Sequence, residues 1–251
     1  MRCTSGERQS TKETSVSSFR ATSLKIAWAM VVIVTLTTCT SRASAQVSSV
    51  GEFSPQQSWP YKGVHANFLP TTGLVLFSSS FGLGNYPNFW NPATGAITAA
   101  TPAPFNIFCG GHAFLPDGTI LWTGGLGAGS GTGVPNAAIF DPLADTWTEL
   151  PNMNAGRWYP TNVTLANGDI LTISGEINSA TGNNPLPQVW QRATASWRDL
   201  TTAQVVMPLY PRMMLAPNGN VFVAGPAPGT KYLKTTGTGS WIYVSKTNFG
   251  N

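Results

Sequence analysis

A repeated pair of apolar segments joined by a glycine turn constrains the fold of this chain more than any other feature. The pattern occurs four times, with turn glycines at Gly73, Gly118, Gly168 and Gly219, so that the spacings are 45, 50 and 51 residues. Three of the four turns read Asp-Gly or Asn-Gly. This dipeptide between β-forming runs is a strong hairpin signal, because both central residues of the turn need a positive φ. Each period therefore contains at least one β-hairpin.

A second pattern runs in phase with the first. Trp90, Phe140 and Trp190 are separated by 50 residues each, and every one opens a strand, a polar turn and a strand that closes on a large apolar residue. A fourth copy runs from Leu233 to Trp241. Two hairpins per period of about 50 residues are typical of one four-stranded blade of a kelch-type β-propeller. A β-sandwich with coincidental spacing is the alternative, and it does not explain why two patterns stay in phase.

The sequence thus predicts an all-β fold, a kelch-type β-propeller of about four blades. Glycine and proline make up 45 of the 251 residues, which argues against a helical bundle. The predicted repeats lie near 60–100, 105–150, 155–200 and 205–245. A glycine-rich stretch at 124–133 lacks the spacing of a phosphate-binding loop and is predicted to be a flexible blade loop.

The first 45 residues read as a leader. An apolar run from Ile26 to Leu36 follows Lys25, and Ala43-Ser44-Ala45 offers a small-residue cleavage site. This arrangement is typical of a secretory signal peptide, and the run is shorter than the ~20 residues that span a bilayer. An uncleaved anchor is the alternative. We expect residues 1–45 to be a signal peptide and leader, 46–251 to be the partial propeller, and the protein to be secreted, extracellular or periplasmic.

Removal of the leader changes the charge of the chain. Six of the fourteen Lys and Arg residues and two of the ten Asp and Glu residues lie in 1–45, so eight of each remain and the formal charge falls from +4 to zero. A nucleic-acid partner is therefore not expected, and neither is a membrane once the leader is cleaved. One of the three cysteines, Cys109, also remains. An unpaired thiol in an oxidising compartment needs a partner chain, burial or special chemistry.

The repeat itself places Cys109 beside a tyrosine. Counting nine residues back from each hairpin glycine gives Val64, Cys109, Tyr159 and Tyr210, at the mouth of the first strand of each repeat. Neighbouring blades would present Cys109 and Tyr159 side by side at one end of the central axis. A buried inert cysteine next to a packing tyrosine is the alternative interpretation.

Three motifs surround these positions: Phe108-Cys109-Gly-Gly-His112, Arg157-Trp158-Tyr159-Pro160 and Leu209-Tyr210-Pro211-Arg212. They resemble the galactose oxidase/glyoxal oxidase family of secreted copper radical oxidases, seven-bladed kelch propellers, over nearly all of residues 60–244. The resemblance implies oxidation of a small alcohol, aldehyde or carbohydrate substrate, with O₂ reduced to H₂O₂. It implies two redox cofactors. One is copper, and the other is a tyrosine that is joined to a cysteine by a thioether and holds a radical.

Carried onto this chain, the resemblance makes Tyr159 a catalytic residue and copper ligand, and Cys109 its thioether partner. A sulfur on the ring would lower its oxidation potential and stabilise the radical. It would also explain why one cysteine is kept in an exported chain. Trp158 is a candidate for stacking over the radical or a sugar ring, with packing between blades as the alternative.

The chain departs from the family in its later ligands. The family site has a tyrosine followed directly by a histidine ligand and a further histidine, but no Tyr-His pair occurs here. Tyr210 is followed by Pro211, so the axial-ligand role is not carried onto it. The two histidines, His65 and His112, are interpreted as satisfied polar residues rather than ligands. A copper site with one matched tyrosine is incomplete.

The repeat count is also short of the family's. Four blades are visible where the family has seven, so we expect a truncated or partial gene product without oxidase activity of its own, whose missing downstream blades would complete the ring. A non-catalytic glycan- or protein-binding propeller module is the alternative function. Zinc and serine-hydrolase motifs are absent from the sequence.

Overall fold

A computed structural model of the protein describes residues 55–129 and 131–247. The predicted signal peptide and leader lie outside the described residues. The chain divides into two units, Met1–Ser58 and Trp59–Asn251. In the first, residues 55–58 form no helix or strand. No helix in the described ranges is long and apolar enough to cross a bilayer.

The prediction of an all-β fold is confirmed. The second unit holds four antiparallel sheets of four strands each. Sheet 1 consists of β1 (His65–Leu69), β2 (Leu74–Ser78), β3 (Asn88–Trp90) and β4 (Ile97–Ala99). Sheet 2 consists of β5 (Gly111–Phe114), β6 (Ile120–Thr123), β7 (Ala137–Asp141) and β8 (Thr146–Leu150). Sheet 3 consists of β9 (Thr161–Thr164), β10 (Ile170–Ile173), β13 (Gln188–Gln191) and β14 (Ser196–Asp199). Sheet 4 consists of β15 (Met213–Leu215), β16 (Val221–Val223), β17 (Gly229–Lys234) and β18 (Ser240–Lys246).

A small hairpin and two short 3₁₀ turns complete the secondary structure of the described residues. The hairpin pairs β11 (Glu176–Asn178) with β12 (Gly182–Asn183). Along the chain it follows the second strand of sheet 3 and precedes the third. The 3₁₀ turns are Phe81–Leu83 and Thr201–Ala203. Within each large sheet the strands pair in chain order. The kelch-type propeller and its blade number stay a prediction.

The first hairpin of every sheet turns on the glycine that the sequence pattern marks. These four glycines have φ between 70° and 87°, a region that other residues adopt only with strain. In sheet 2, Gly118 N donates to Leu115 O at 3.0 Å, and Asp117 Oδ1 accepts from Thr119 N at 3.1 Å. The turn therefore fixes the register of β5 against β6 through bonds within the hairpin itself.

The second hairpin pairs the large apolar residues of the repeat directly across the strands. Phe140 faces Trp147, with ring centroids 4.8 Å apart, and Trp190 faces Trp197 at 5.2 Å. Leu233 faces Trp241 in the same way. Such cross-strand pairs stabilise a sheet by about 0.2–1 kcal/mol each. The aromatic pattern seen in the sequence is thus the pairing of the third and fourth strands.

The fourth-strand tryptophans also connect sheets 2, 3 and 4 to the segment that precedes each sheet. The indole N–H of Trp147 donates to Thr101 O, that of Trp197 to Pro151 O and that of Trp241 to Ala203 O, at 2.8–2.9 Å. The acceptors lie 46, 46 and 38 residues upstream. This repeated bond joins the fourth strand of one sheet to the segment that links that sheet to the one before it.

The apolar core lies between successive sheets. One cluster joins sheets 1 and 2, a second joins sheets 2 and 3, and a third joins sheets 3 and 4. Trp122 and Phe140 are fully buried in the first cluster. Full burial of such a side chain contributes about 1.5–3 kcal/mol. The faces of the sheets, rather than their edges, therefore hold the unit together.

The first strands of successive sheets lie side by side, which positions the candidate site. β5 contacts β9, and β9 contacts β15. Thr164 Oγ1 donates to Phe114 O at 2.7 Å, and Thr161 Oγ1 donates to Pro211 O at 2.8 Å. The residues just before these strands are consequently brought to one place.

Candidate tyrosine–cysteine site

Three repeat-equivalent residues share an unusual backbone conformation. Cys109, Tyr159 and Tyr210 have φ of 57°, 65° and 45° and lie two or three residues before the first strands of sheets 2, 3 and 4. Residues with a side chain rarely adopt a positive φ, and each such residue stores strain of about 1–3 kcal/mol. Val64 is the equivalent residue of sheet 1, nine positions before its hairpin glycine. Its φ is not positive, and its amide donates to Ser78 O. The strained turn belongs to the three positions that carry sulfur or phenol.

Backbone hydrogen bonds link these three residues in series. Tyr159 N donates to Cys109 O at 2.9 Å, and Tyr210 N donates to Tyr159 O at 2.9 Å. The left-handed turn directs each amide toward the carbonyl of the preceding sheet. The structure therefore brings Cys109 and Tyr159 together as the repeat count predicts. Their roles in copper chemistry stay a prediction.

The side chains of the same three residues meet as well. The Cys109 thiol forms no disulfide and is 4% exposed. Burial raises the pKa of the thiol, and the neighbouring side chains of Tyr159 and Tyr210 partly oppose this shift. The neighbouring Cys109 side chain and burial raise the pKa of Tyr159 to about 12. All of these groups hold their protons at neutral pH.

Tyr210 contributes its hydroxyl although part of its ring faces solvent. The residue is 36% exposed, but its Oη lies 3.5 Å from Gly110 O and 3.4 Å from His65 Nε2. Burial of this hydroxyl and the neighbouring Cys109 and Tyr159 raise the pKa of Tyr210 above its ordinary value. Tyr210 thus closes the side of the site that faces sheet 1.

Aromatic rings flank Tyr159 on two sides. The Trp158 ring lies 4.3 Å from it between centroids at 43°, and the Tyr210 ring meets it edge-on at 5.0 Å and 83°. Trp158 is held by reciprocal backbone bonds with Glu176 at 2.9 and 2.6 Å. Both Trp158 and Tyr159 are half-buried, so the pair combines a fixed geometry with access from solvent.

The fully buried Arg157 holds the turn that carries Tyr159 in place. The sequence motif assigned no role to this residue. The Arg157 guanidinium donates to Ser174 O at 2.8 Å, Asn154 Oδ1 at 3.0 Å and Leu186 O at 2.5 Å. Burial lowers the pKa of Arg157 to about 9, partly opposed by Asp199. The arginine therefore joins sheet 3 to the segment that carries Tyr159. An arginine two residues before the candidate ligand, in a chain that is 10% charged, was the available signal.

The glycine-rich stretch forms the other half of this anchor. A Cβ on Gly124 would lie 2.1 Å from Arg157 O, and one on Gly133 would lie 2.5 Å from Arg157 N. Gly125 N donates to Arg157 O at 2.9 Å. The sequence predicted a flexible blade loop here. At these glycines the backbone instead packs directly against the Arg157 backbone, because no side chain stands between them.

The two histidines lie next to each other beyond Tyr210. His112 Nε2 is 3.2 Å from His65 Nδ1. Burial lowers the pKa of His65 to about 4 and that of His112 to about 3, with the charge of His65 adding to the second shift. Both rings are neutral at pH 7 and share one hydrogen bond.

Copper fits the donor chemistry of this region. Within the described ranges no three His, Cys, Asp or Glu side chains form a metal-binding group, so a metal at the Tyr159 turn would be held through phenol oxygen. Tyr159 supplies such an oxygen, and the Tyr210 ring meets the Tyr159 ring edge-on at 5.0 Å between centroids. Phenolate oxygen and imidazole nitrogen are donors that Cu²⁺ accepts.

Comparisons with known proteins identify relatives of the chain. No family model matches it. Galactose oxidase of Gibberella zeae is 25% identical over 222 residues, which are 79% of this chain and 32% of that protein. Aldehyde oxidase GLOX of Vitis pseudoreticulata is 30% identical over 124 residues, 47% of this chain and 23% of that protein. The chain thus spans about a third of the length of the galactose oxidase it matches.

A solved structure shares the fold. It is a fungal alcohol oxidase of the AA5 family in complex with copper, with a TM-score of 0.65 and 24% identity. The match covers 78% of this chain and 44% of that chain. At this identity the likeness establishes the β fold alone.

Proposed function

From its confirmed likeness to galactose oxidase and glyoxal oxidase, we propose that this chain carries the tyrosine–cysteine half of a copper radical oxidase. Tyr159 is the proposed copper ligand and radical site, and Cys109 its thioether partner. The proposed substrates are small primary alcohols or aldehydes, carbohydrates included, with O₂ reduced to H₂O₂. One observation carries the proposal: Cys109, whose thiol is buried and forms no disulfide, accepts a backbone hydrogen bond from Tyr159 N at 2.9 Å, so the two residues lie side by side.

The proposed thioether forms between the Cys109 sulfur and a ring carbon of Tyr159. The thiol hydrogen and one ring hydrogen are lost, and O₂ takes up the two electrons and two protons as H₂O₂. The left-handed turns hold the two residues against each other, so little reorganisation precedes the step. Copper at the Tyr159 oxygen would supply the second one-electron redox centre. Trp158 would shield the Tyr159 ring from water.

The rest of the proposal concerns the whole protein. The four sheets are proposed to be about four blades of a kelch-type propeller, in a protein secreted through the leader at 1–45. The 251 residues contain no Tyr-His pair, so we expect no peroxide from this chain alone with galactose or a glyoxal-type aldehyde. Substrate-dependent peroxide production by the isolated 251 residues, beyond the one H₂O₂ per chain that thioether formation releases, would contradict that expectation.

Intact-mass analysis tests the cross-link. The chain is loaded with Cu²⁺ in air, reduced to remove disulfides and mapped by peptides. A loss of two hydrogens across the Cys109 and Tyr159 peptides supports the proposal. Cys109→Ser and Tyr159→Phe should abolish the loss. Tyr210→Phe is the matched control, because it removes the other phenol near the thiol and should retain the loss. An unchanged mass with freely alkylated Cys109 would overturn the proposal.

A binding module is the second candidate function. The half-buried stack of Trp158 on Tyr159 is the observation that favours it, because exposed aromatic faces suit sugar rings. Glycan-array binding that is lost in Trp158→Ala and kept in Cys109→Ser would support this role. Binding that is indifferent to Trp158 would exclude it for this surface.

A further inference from the structure

The contact between His65 and His112 has the geometry of a metal-binding pair. The facing nitrogens, His112 Nε2 and His65 Nδ1, are 3.2 Å apart. At a metal–nitrogen distance of about 2.0–2.1 Å, nitrogens with this separation subtend about 100° at the metal. That is the angle of two neighbouring ligands. The residues come from different sheets, β1 and β5, so the folded unit creates the pair.

Both rings are held in place by their neighbours. The His112 ring packs on fully buried Trp122, with centroids 4.6 Å apart at 34°, and the edge of His65 lies 5.8 Å from the same indole. Fixed rings reduce the entropy that is lost when a ligand binds. Burial keeps both imidazoles neutral at pH 7, as their lowered pKa values indicate, and neutral nitrogens are the ones that coordinate.

The second nitrogen of His65 also has a suitable partner. Its Nε2 lies 3.4 Å from Tyr210 Oη, which in turn lies 3.5 Å from Gly110 O. If Tyr210 donates to Gly110 O, its oxygen can accept the Nε2–H of His65. Metal-bound histidines usually donate their other N–H in this way, which fixes the tautomer. His65 Nδ1 then accepts from His112 Nε2 in the metal-free protein. For both facing nitrogens to bind a metal, His112 must carry its proton on Nδ1 instead of Nε2.

We propose that His65 and His112 form a two-imidazole site for a divalent transition metal, separate from the Tyr159 oxygen. Cu²⁺ is the preferred ion, because imidazole sites follow an affinity order that peaks at copper. In the described part of the chain no carboxylate or thiolate completes a group of three with the pair, so water fills the remaining positions. The inference does not depend on the proposed radical chemistry.

The chain contains two histidines in all, which makes the test direct. The full chain, purified without a histidine tag, is titrated with Cu²⁺ and examined by pulsed electron paramagnetic resonance. Imidazole nitrogen modulation can arise only from His65 and His112. We expect modulation from two imidazoles in the wild-type chain. Its absence from the copper-loaded wild-type protein would overturn the proposal without any variant.

Variants separate this site from the tyrosine site. His112→Gln and His65→Asn should each weaken Cu²⁺ binding at the imidazole site by about tenfold or more, and Tyr210→Phe by about tenfold as a second-layer partner. Tyr159→Phe should leave the imidazole signal intact. If Tyr159→Phe removes that signal, the histidines serve the tyrosine site and a separate site is wrong. The cross-link mass is measured independently, so failure of one proposal leaves the other testable.

Discussion

At the scale of single residues, Arg157 combines full burial with a charge and no carboxylate within hydrogen-bonding distance. Its bonds go to the carbonyls of Ser174 and Leu186 and to the Asn154 side chain. Neutral acceptors of this kind hold a cation in place through geometry, and each would be left unsatisfied if the arginine were removed. The residue therefore acts on Tyr159 by positioning the turn, two residues away, that carries it.

Arg157→Met should destabilise the protein strongly. We expect a loss of about 3–5 kcal/mol in the free energy of unfolding, the range seen when one partner of a buried polar network is removed. Denaturant unfolding measures it. Arg192→Met is the matched control, because Arg192 meets Asp117 at 3.4 Å on the surface and should change stability by less than about 1 kcal/mol. Equal effects would contradict the anchoring role of Arg157.

The two histidines give the metal-free chain a specific response to acid. Their pKa values are about 4 and about 3 in the folded protein, against 6.5 for an unfolded histidine. The unfolded state therefore binds more protons, and stability falls as the pH drops from about 6.5 towards 4. We expect a loss of a few kcal/mol over this range, measured by unfolding with a chelator present. The double variant His65→Asn/His112→Gln should show a flatter profile. A wild-type profile as flat as the variant's would contradict the prediction.

At the scale of elements, the glycine-rich segment allows two stretches of backbone to approach each other closely. Gly124 and Gly125 let two stretches of backbone touch, so that Gly125 N can bond Arg157 O. The segment thereby connects sheet 2 to the turn that carries Tyr159. A side chain here would separate the sheets at the point where the site is assembled.

Gly124→Ala should therefore cost more than an ordinary glycine substitution. Gly124 and Gly182 both have positive φ, at 65° and 79°, but a Cβ on Gly124 meets Arg157 O at 2.1 Å while one on Gly182 meets nothing within 4 Å. Both substitutions therefore introduce backbone strain, but only Gly124→Ala also introduces a steric clash. We expect Gly124→Ala to lower the unfolding free energy by about 1–3 kcal/mol more than Gly182→Ala does. Thermal and denaturant unfolding of the pair would decide it.

At the scale of the whole molecule, the final strand presents an apolar edge to solvent. β18 is the outermost strand of sheet 4, and Ile242, Tyr243 and Val244 are 47%, 69% and 47% exposed. Long apolar edge strands favour pairing with another chain. The exposed patch is therefore expected to set the association state of the 251-residue chain.

Charges on this edge should reduce self-association. We expect Ile242→Lys/Val244→Lys to shift the chain towards monomer in sedimentation velocity across a concentration series. Leu143→Lys is the control, because Leu143 is 71% exposed in a turn away from any strand edge and should change nothing. An unchanged sedimentation profile in the β18 variant would show that this edge is not the associating surface.

Local and periodic features of the molecule could be predicted from sequence, and contacts between sheets could not. The turn glycines and the Trp197 pairing follow from residues a few positions apart. The meeting of Cys109 with Tyr159 follows from the period. The packing of Gly124 on Arg157 and the contact of His65 with His112 depend on how two sheets face each other. No spacing rule encodes that arrangement.

The series of backbone bonds from Tyr210 to Tyr159 to Cys109 has a consequence for biogenesis. Each bond reaches back about 50 residues to the repeat that was synthesised before it. The site therefore needs three successive repeats and cannot be complete before residue 210 has been synthesised. Cys109 is synthesised first, so it lacks Tyr159 until the third repeat has followed and lacks Tyr210 until the fourth has followed. The thiol therefore has both phenols as neighbours only once the fourth repeat is present.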